Sequence, residues 1–193
     1  MKGSDAPGAT PLDPDEEEGL RLAHVHTRAE LNAAEQENIA AGTEWLSSVR
    51  VRSRFDRDLL WELHKRMFGE VWKWAGQPRA TLKNIGVPPE RIRTNVAGLL
   101  SDTEYQIASK TLPLREIATR FHHRLVSIHA FPNGNGRHAR LLTDHLCRVH
   151  DHPPPTWSDS ALQQDGQARD AYIRSLKAAD RGEMQQLQSF MWN

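Results

Sequence analysis

"HAFPNGNGRHAR", His129 to Arg140, puts one histidine, a Gly-Asn-Gly run and two arginines three positions apart into twelve residues. Ordinary core or surface packing does not ask for that combination. Phosphate handling does. Upstream, "LREIATRFHHRLVSIHAF" carries Leu114, Ile117, Ala118, Phe121, Leu125 and Ile128 along one apolar stripe, which predicts an amphipathic helix with His129 at its end. "PNGNG" interrupts the period, and Ala139, Leu142 and Leu146 resume it in a helix starting near Gly136. The motif therefore occupies a helix–loop–helix junction.

The unpaired N–H groups at the start of the second helix point outward, and the helix dipole favours an anion there. Gly134 and Gly136 let the backbone turn sharply and come close to a phosphate. Arg137 and Arg140 add planar, forked positive charge that opposes the dipole, a placement that makes sense where an anion is expected. His129 faces the same loop. A neutral imidazole there suits removal of a proton from a hydroxyl attacking phosphorus. Singly, each feature has an ordinary reading: a satisfied histidine, a common turn, solvated arginines. Their concentration in a dozen residues favours a site.

The rest of the chain sets the scaffold. Its 193 residues fit one domain, with a hydrophobic fraction of 38% and a charged fraction of 26%. Lysine plus arginine and aspartate plus glutamate number 25 each, so net charge is zero, against a general nucleic-acid binder or a membrane-surface protein. Cys147 is the single cysteine, which excludes an internal disulfide and a Cys-based zinc cluster. No signal-type or membrane-spanning stretch is visible, and the expectation is a soluble cytoplasmic chain.

Residues 1–20 read as a flexible, acidic N-terminal arm, and residues 21–54 as a segment holding one helix. That helix opens on a capping box, Thr27 with Glu30, and aligns Leu31, Ala34, Asn38, Gly42, Trp45 and Val49 on one face. Asn38 in that face, with Glu35 beside it, reads either as a helix edge or as a polar pair aimed inward. "FDRDLLWELHKRMFGEVWKWAG" predicts a second helix ending near Gly76, and "RATLKNIGV" a short β-hairpin or flap. A helix follows "PPERI" along Ile92, Val96, Leu99 and Ile107, and a last one runs from about Ser160 to the C-terminus. The fold class expected is all-α, a compact helical bundle with a small β-hairpin flap.

"HAFPNGNGRHAR" resembles the signature of the Fic (Fido) family, His-x-Phe-x-Asp/Glu-Gly-Asn-Gly-Arg-x-x-Arg, at seven of its eight specified positions. The resemblance also covers "WAGQPR", the flap-like segment and "AYIRSLKAADRGEMQQLQSF", placing a Fic domain over residues 55–193. With "ELNAAEQENI" included, the chain is most similar to the subgroup called mobile mystery protein B. The resemblance implies a protein adenylyltransferase, moving AMP from ATP to a Ser, Thr or Tyr hydroxyl of a target protein. His129 would be the base and Phe131 the loop anchor. Gly134, Asn135 and Gly136 would hold the α- and β-phosphates, and Arg137 and Arg140 the β- and γ-phosphates. Tyr172 would border the adenine pocket, and the segment from about Arg79 to Val87 would dock the target.

The departure is Asn133, where the family has an acid for Mg²⁺ (or Mn²⁺). Magnesium favours charged oxygen ligands, and an amide oxygen coordinates without the charge. The family also implies self-inhibition by a glutamate that pairs with the second motif arginine, Arg140. Glu35, which the helical wheel puts nearer the inward face, and Glu37, which fits the end of the family's Ser/Thr-x-x-x-Glu-Gly/Asn pattern, compete for that role. The subgroup implies an antitoxin-like or DNA-binding partner protein. Other readings are phosphoryl transfer or removal of AMP on the same fold, and a nucleotide- or protein-binding module without activity. A metal site built on His122, His123, His129, His138 and His145 is disfavoured, because no His-Glu-x-x-His motif occurs and adjacent histidines point apart.

Overall fold

A computed structural model of the chain describes residues 14–48, 55–157 and 166–193. Among them are α1 (Pro14–Glu17), α2 (Arg28–Ser48), α3 (Arg57–Phe68), a 3-10 turn (Pro89–Arg91), α4 (Ile92–Ala108), α5 (Leu114–Ile128), α6 (Asn135–Val149), α7 (Gly166–Asp180) and α8 (Met184–Trp192). The architecture is all-helical. The only β pairing among the described residues is an isolated antiparallel bridge between Leu20 and Trp72.

Each helix starts and stops for local reasons. The Thr27–Glu30 capping box forms: Glu30 N–H donates to Thr27 Oγ1 at 3.2 Å, and Thr27 N–H to Glu30 Oε2 at 2.9 Å. Asp56 caps α3 by accepting from Leu59 N–H at 3.0 Å. The helix ends at Phe68, with Gly69 as C-cap, well before the expected Gly76. Residues 70–76 form turns instead, in which Trp72 N–H donates to Phe68 O and Arg21 N–H to Val71 O, both at 2.8 Å. The expected last helix is two helices, because Gly182 adopts φ +91° between α7 and α8. Ser160 and Val49 lie outside the described residues.

The apolar faces meet in one main core. Leu60, Leu63 and Met67 of α3, Val96 and Leu99 of α4, Phe121 and Leu125 of α5 and Leu142 and Leu146 of α6 are all buried in it. α5 lies between α4 and α6 and also packs on α8. A smaller cluster of Trp157, Tyr172, Leu187 and Met191 joins α7 and α8. Trp192 fastens that unit to α5, donating Nε1–H to Thr119 Oγ1 at 3.1 Å with the Arg115 guanidinium stacked over its ring.

Two expectations need correction. The flap is not a β-hairpin: residues 79–88 contain no strand. The main-chain N–H groups at its ends bond to the chain around His129 rather than pairing as a hairpin, with Arg79 N–H on Ala130 O at 2.9 Å and Val87 N–H on Ile128 O at 3.2 Å. The N-terminal arm is also structured from residue 14 onward. Glu16 of α1 is buried, pairing with Lys83 at 2.5 Å and accepting from Thr81 Oγ1 at 3.0 Å, so α1 sits on the flap.

Candidate active site

The loop between α5 and α6 is built by its own side chains. Phe131 is fully buried, its ring stacked on His64 at 3.5 Å between centroids and edge-on to Trp61 and His138. Asn135 closes the loop on itself: its Oδ1 accepts from Phe131 N–H at 2.9 Å, and its Nδ2 donates to Phe131 O at 2.8 Å. That side chain is therefore engaged with its own loop backbone. Gly134, with φ +80°, is the N-cap of α6, and a Cβ there would lie 2.5 Å from the Phe68 ring. Only glycine meets both conditions. The first α6 hydrogen bond runs from His138 N–H to Gly134 O, so the N–H groups of residues 135–137 precede it, at the end of the helix whose dipole favours an anion.

His129 is the C-cap of α5, in the left-handed conformation with φ 52°. It is buried, and its imidazole is pushed down to about 4, first by burial, then by the nearby charges of Arg79 and Lys83. Such a ring is neutral at pH 7 and able to accept a proton. Asn133 follows within the loop. Its Oδ1 accepts from Gly134 N–H at 2.6 Å, and its carbonyl meets His64 Nε2 at 3.1 Å. His64 Nδ1 accepts from Gly76 N–H at 3.0 Å, which fixes the proton on Nε2. Thus His64 rivets the loop to the turn after α3.

The arginines have different environments. Arg137 Nη1 pairs with Glu35 Oε2 at 2.7 Å, and its guanidinium lies 4.9 Å from the centre of the Phe68 ring. The other Glu35 oxygen accepts from Trp72 Nε1–H at 2.8 Å. Glu35 is buried and Glu37 exposed, so the polar pair on α2 does point inward. One turn on, Asn38 clamps α2 to the end of α3, donating to Arg66 O at 2.9 Å and accepting from Glu70 N–H at 3.0 Å. The glutamate contact falls on the first motif arginine, not on Arg140. Arg140 lies under Tyr172, 5.7 Å from the ring centre.

Tyr172 is buried with its hydroxyl 2.9 Å from His122 Nε2. Thr143 Oγ1 donates to Ala139 O, so it accepts from His122 Nδ1–H at 3.3 Å, and Tyr172 is left to donate to Nε2. A Cβ at Gly136 would come within 3.6 Å of the Tyr172 hydroxyl, which places the ring beside the start of α6. The sequence did not single out Glu16, His64, Trp72 or Arg79 for roles at this site. The available signal was a polar residue inside an apolar stripe, as with His64 beside Leu60, Leu63 and Met67.

Among the described residues no group of three or more His, Cys, Asp or Glu side chains could hold a metal ion. One neutral oxygen from Asn133 fits an ion carried in mainly by nucleotide phosphates. No helix among the described residues is long and apolar enough to cross a membrane.

Residues 54–147 match the Fic/DOC family model, and the chain carries a Fic/Fido domain. It is 32% identical over 141 residues to the protein adenylyltransferase Fic of Drosophila grimshawi, covering 70% of this chain and 27% of that protein. It is 41% identical over 71 residues to a uridine 5′-monophosphate transferase of Xanthomonas campestris pv. campestris, covering 35% of this chain and 13% of the relative. The chain thus spans a minor part of both relatives. In fold it is similar to the BepC protein of Bartonella tribocorum, solved with bound AMPPNP, with a TM-score of 0.71 and 17% identity over 93% of this chain and 96% of the other.

Proposed function

We propose that the chain is a protein adenylyltransferase, restrained in its resting state by Glu35. The observation that carries this reading is the pairing of a base held neutral, His129, with an anion site at the start of the next helix. His129 takes the proton of a target Ser, Thr or Tyr hydroxyl. The hydroxyl oxygen then bonds to the α-phosphorus of ATP, the bond to the β-phosphate oxygen breaks, and pyrophosphate leaves. The N–H groups of residues 135–137, with Gly134 and Gly136 keeping the approach open, receive the α- and β-phosphates, and Arg137 and Arg140 receive the β- and γ-phosphates. Asn135 supports the cradle by holding its loop shut. Phe131 anchors that loop in the core. Tyr172, beside Gly136, borders the pocket for the base.

Asn133 would be the protein ligand of a magnesium or manganese ion carried in by the nucleotide, and such an ion would neutralise phosphate charge. Base and electrophile held on two packed helices supply the proximity on which such transfer depends. The Glu35–Arg137 pair supports restraint, because the arginine meant for phosphate already has a carboxylate. The Fic partner is a target protein bearing a hydroxyl. An antitoxin-like protein that displaces α2 would complete the regulation.

The test is incorporation of label from α-labelled ATP into the protein itself and into a cell lysate, with Mg²⁺ and with Mn²⁺. Label that disappears in His129→Ala supports transfer, and no label under any condition refutes it for these targets. The relative named as a uridine 5′-monophosphate transferase favours a second reading, a different nucleotide donor, which an arm with α-labelled UTP decides. Label from γ-labelled ATP would instead mark a phosphotransferase. Binding of ATP without any label would mark an inactive module.

A further inference from the structure

Arg79 is 3% exposed, and a guanidinium keeps its charge across the working pH range, so its burial requires partners. Its three nitrogens reach three main-chain carbonyls. Nε donates to His129 O at 2.7 Å, Nη1 to Thr81 O at 2.6 Å, and Nη2 to Val87 O. Thr81 and Val87 stand at the two ends of the flap, while His129 carries the imidazole at the end of α5. The Arg79 and Val87 N–H groups close the same junction through Ala130 O and Ile128 O. Gly86 passes so near that a Cβ there would lie 2.6 Å from His129 Cβ and 2.7 Å from Arg79 Nη2. Flap, base and guanidinium form one unit.

We propose that Arg79 is a positioning residue for His129, fixing the base's left-handed backbone and both ends of the flap with one planar fork and keeping a positive charge, hydrogen-bonded to neutral carbonyls, beside the imidazole. This rests on the reading of His129 as the base. A side chain disfavours the left-handed conformation, and the His129 carbonyl turned into the Arg79 fork holds it there. The charge matters because its partners are neutral. Among the described residues no carboxylate forms an ion pair with Arg79; Glu16 binds Lys83 and Thr81 beside it. Among the described residues, the charged groups acting on the ring are Arg79 and Lys83 of the flap, and Glu16 of α1 acts on both of these cations. After burial, Arg79 is the larger contributor to the ring's resistance to protonation.

Two variants separate fork from charge. Arg79→Lys keeps the charge without the fork; Arg79→Gln keeps amide donors without the charge. Nitrogen NMR of the nucleotide-free full chain titrates His129, and amide hydrogen exchange reads residues 81–87. In Arg79→Gln the His129 midpoint rises by about one pH unit, while His122 and His138 keep theirs. In Arg79→Lys the midpoint stays low and the flap amides exchange about tenfold faster. An unmoved His129 midpoint in Arg79→Gln, or unchanged flap protection in Arg79→Lys, overturns the proposal. Where only one variant folds, its own readout decides. Loss of fold in both also overturns it, because Arg79 would then belong to the core alone. Neither readout needs nucleotide or target, so absent AMP transfer would sink the functional reading and leave this coupling to stand or fall separately.

Discussion

Glu35 and Arg137, 102 residues apart in sequence, meet at 2.7 Å, and the carboxylate's other oxygen takes the indole N–H of Trp72. The glutamate is thus held from two sides, by α6 and by the turn after α3. Glu35→Gly should raise AMP incorporation by about tenfold, as Arg137 becomes available to phosphate. The same change leaves the Trp72 N–H without its acceptor and should lower stability by about 1–3 kcal/mol. Exposed Glu37 replaced by glycine should leave incorporation unchanged and lose only the roughly 1 kcal/mol that a glycine costs inside a helix. Labelled-AMP incorporation beside thermal unfolding of each variant checks this. Equal activity in wild type and Glu35→Gly would refute restraint.

Acid should weaken the fold through its buried histidines. Burial pushes His122 down to about 3 and His129 and His138 to about 4, so each stays neutral in the folded chain while protonating near 6.5 when unfolded. Between about 6.5 and about 4 the unfolded chain binds more protons, and stability falls as pH falls through that window. Asp144 acts with the opposite sign, since burial pushes its carboxyl up to about 6, and it offsets only part of the loss. The net change should be several kcal/mol, on the order of one pKa-unit equivalent or more per histidine. Urea denaturation at stepped pH measures it. A curve that is flat from pH 7 to pH 4.5 would contradict these environments.

Asn133 presents its side-chain oxygen to Gly134 N–H, a role that a carboxylate oxygen performs equally well. Asn133→Asp should therefore keep the loop and add the missing charge. Half-saturating Mg²⁺ should drop by about tenfold, in transfer assays and in calorimetric titration of Mg²⁺ with a non-hydrolysable ATP analogue. Unchanged metal dependence in both would show that the nucleotide alone recruits the ion.

The Lys83 ammonium is almost fully enclosed, its side chain 4% exposed, with Glu16 at 2.5 Å. Glu16→Ala removes a carboxylate partner from that buried ammonium, at a cost of about 3 kcal/mol. Amide exchange across residues 81–87 should rise with the loss, whereas α6 should stay protected. A flap as protected as in the wild type would separate α1 from flap order.

The α5–loop–α6 junction was legible because its apolar stripes are strong and its breakers stand together between Phe131 and Gly136. The inward face of α2 was harder to read. Its key positions are Glu35, Asn38 and Gly42 rather than large apolar groups, and their partners, Arg137, Trp72 and Arg66, lie on other elements. The flap misled for a related reason. Thr81, Ile85 and Val87 suit a strand, but the segment's backbone bonds are to Ile128 and Ala130, far beyond any local window. Arg79 likewise reads locally as one more surface cation, because its carbonyl partners are brought to it only by the completed fold.

Under the proposed function, Glu35 is a tethered competitor for the arginine that would meet phosphate. A ligand in solution is outcompeted or diluted away, whereas a carboxylate on the same chain faces its arginine at an effective concentration set by geometry, in the millimolar range or above even for flexible tethers. Here the tether is α2 itself, clamped at Asn38 and at Trp72. Raising the nucleotide concentration therefore works against a rival whose own concentration never falls. In that reading, release at ordinary nucleotide levels would come from something that moves the helix, with a threshold set by how tightly α2 is held to α3.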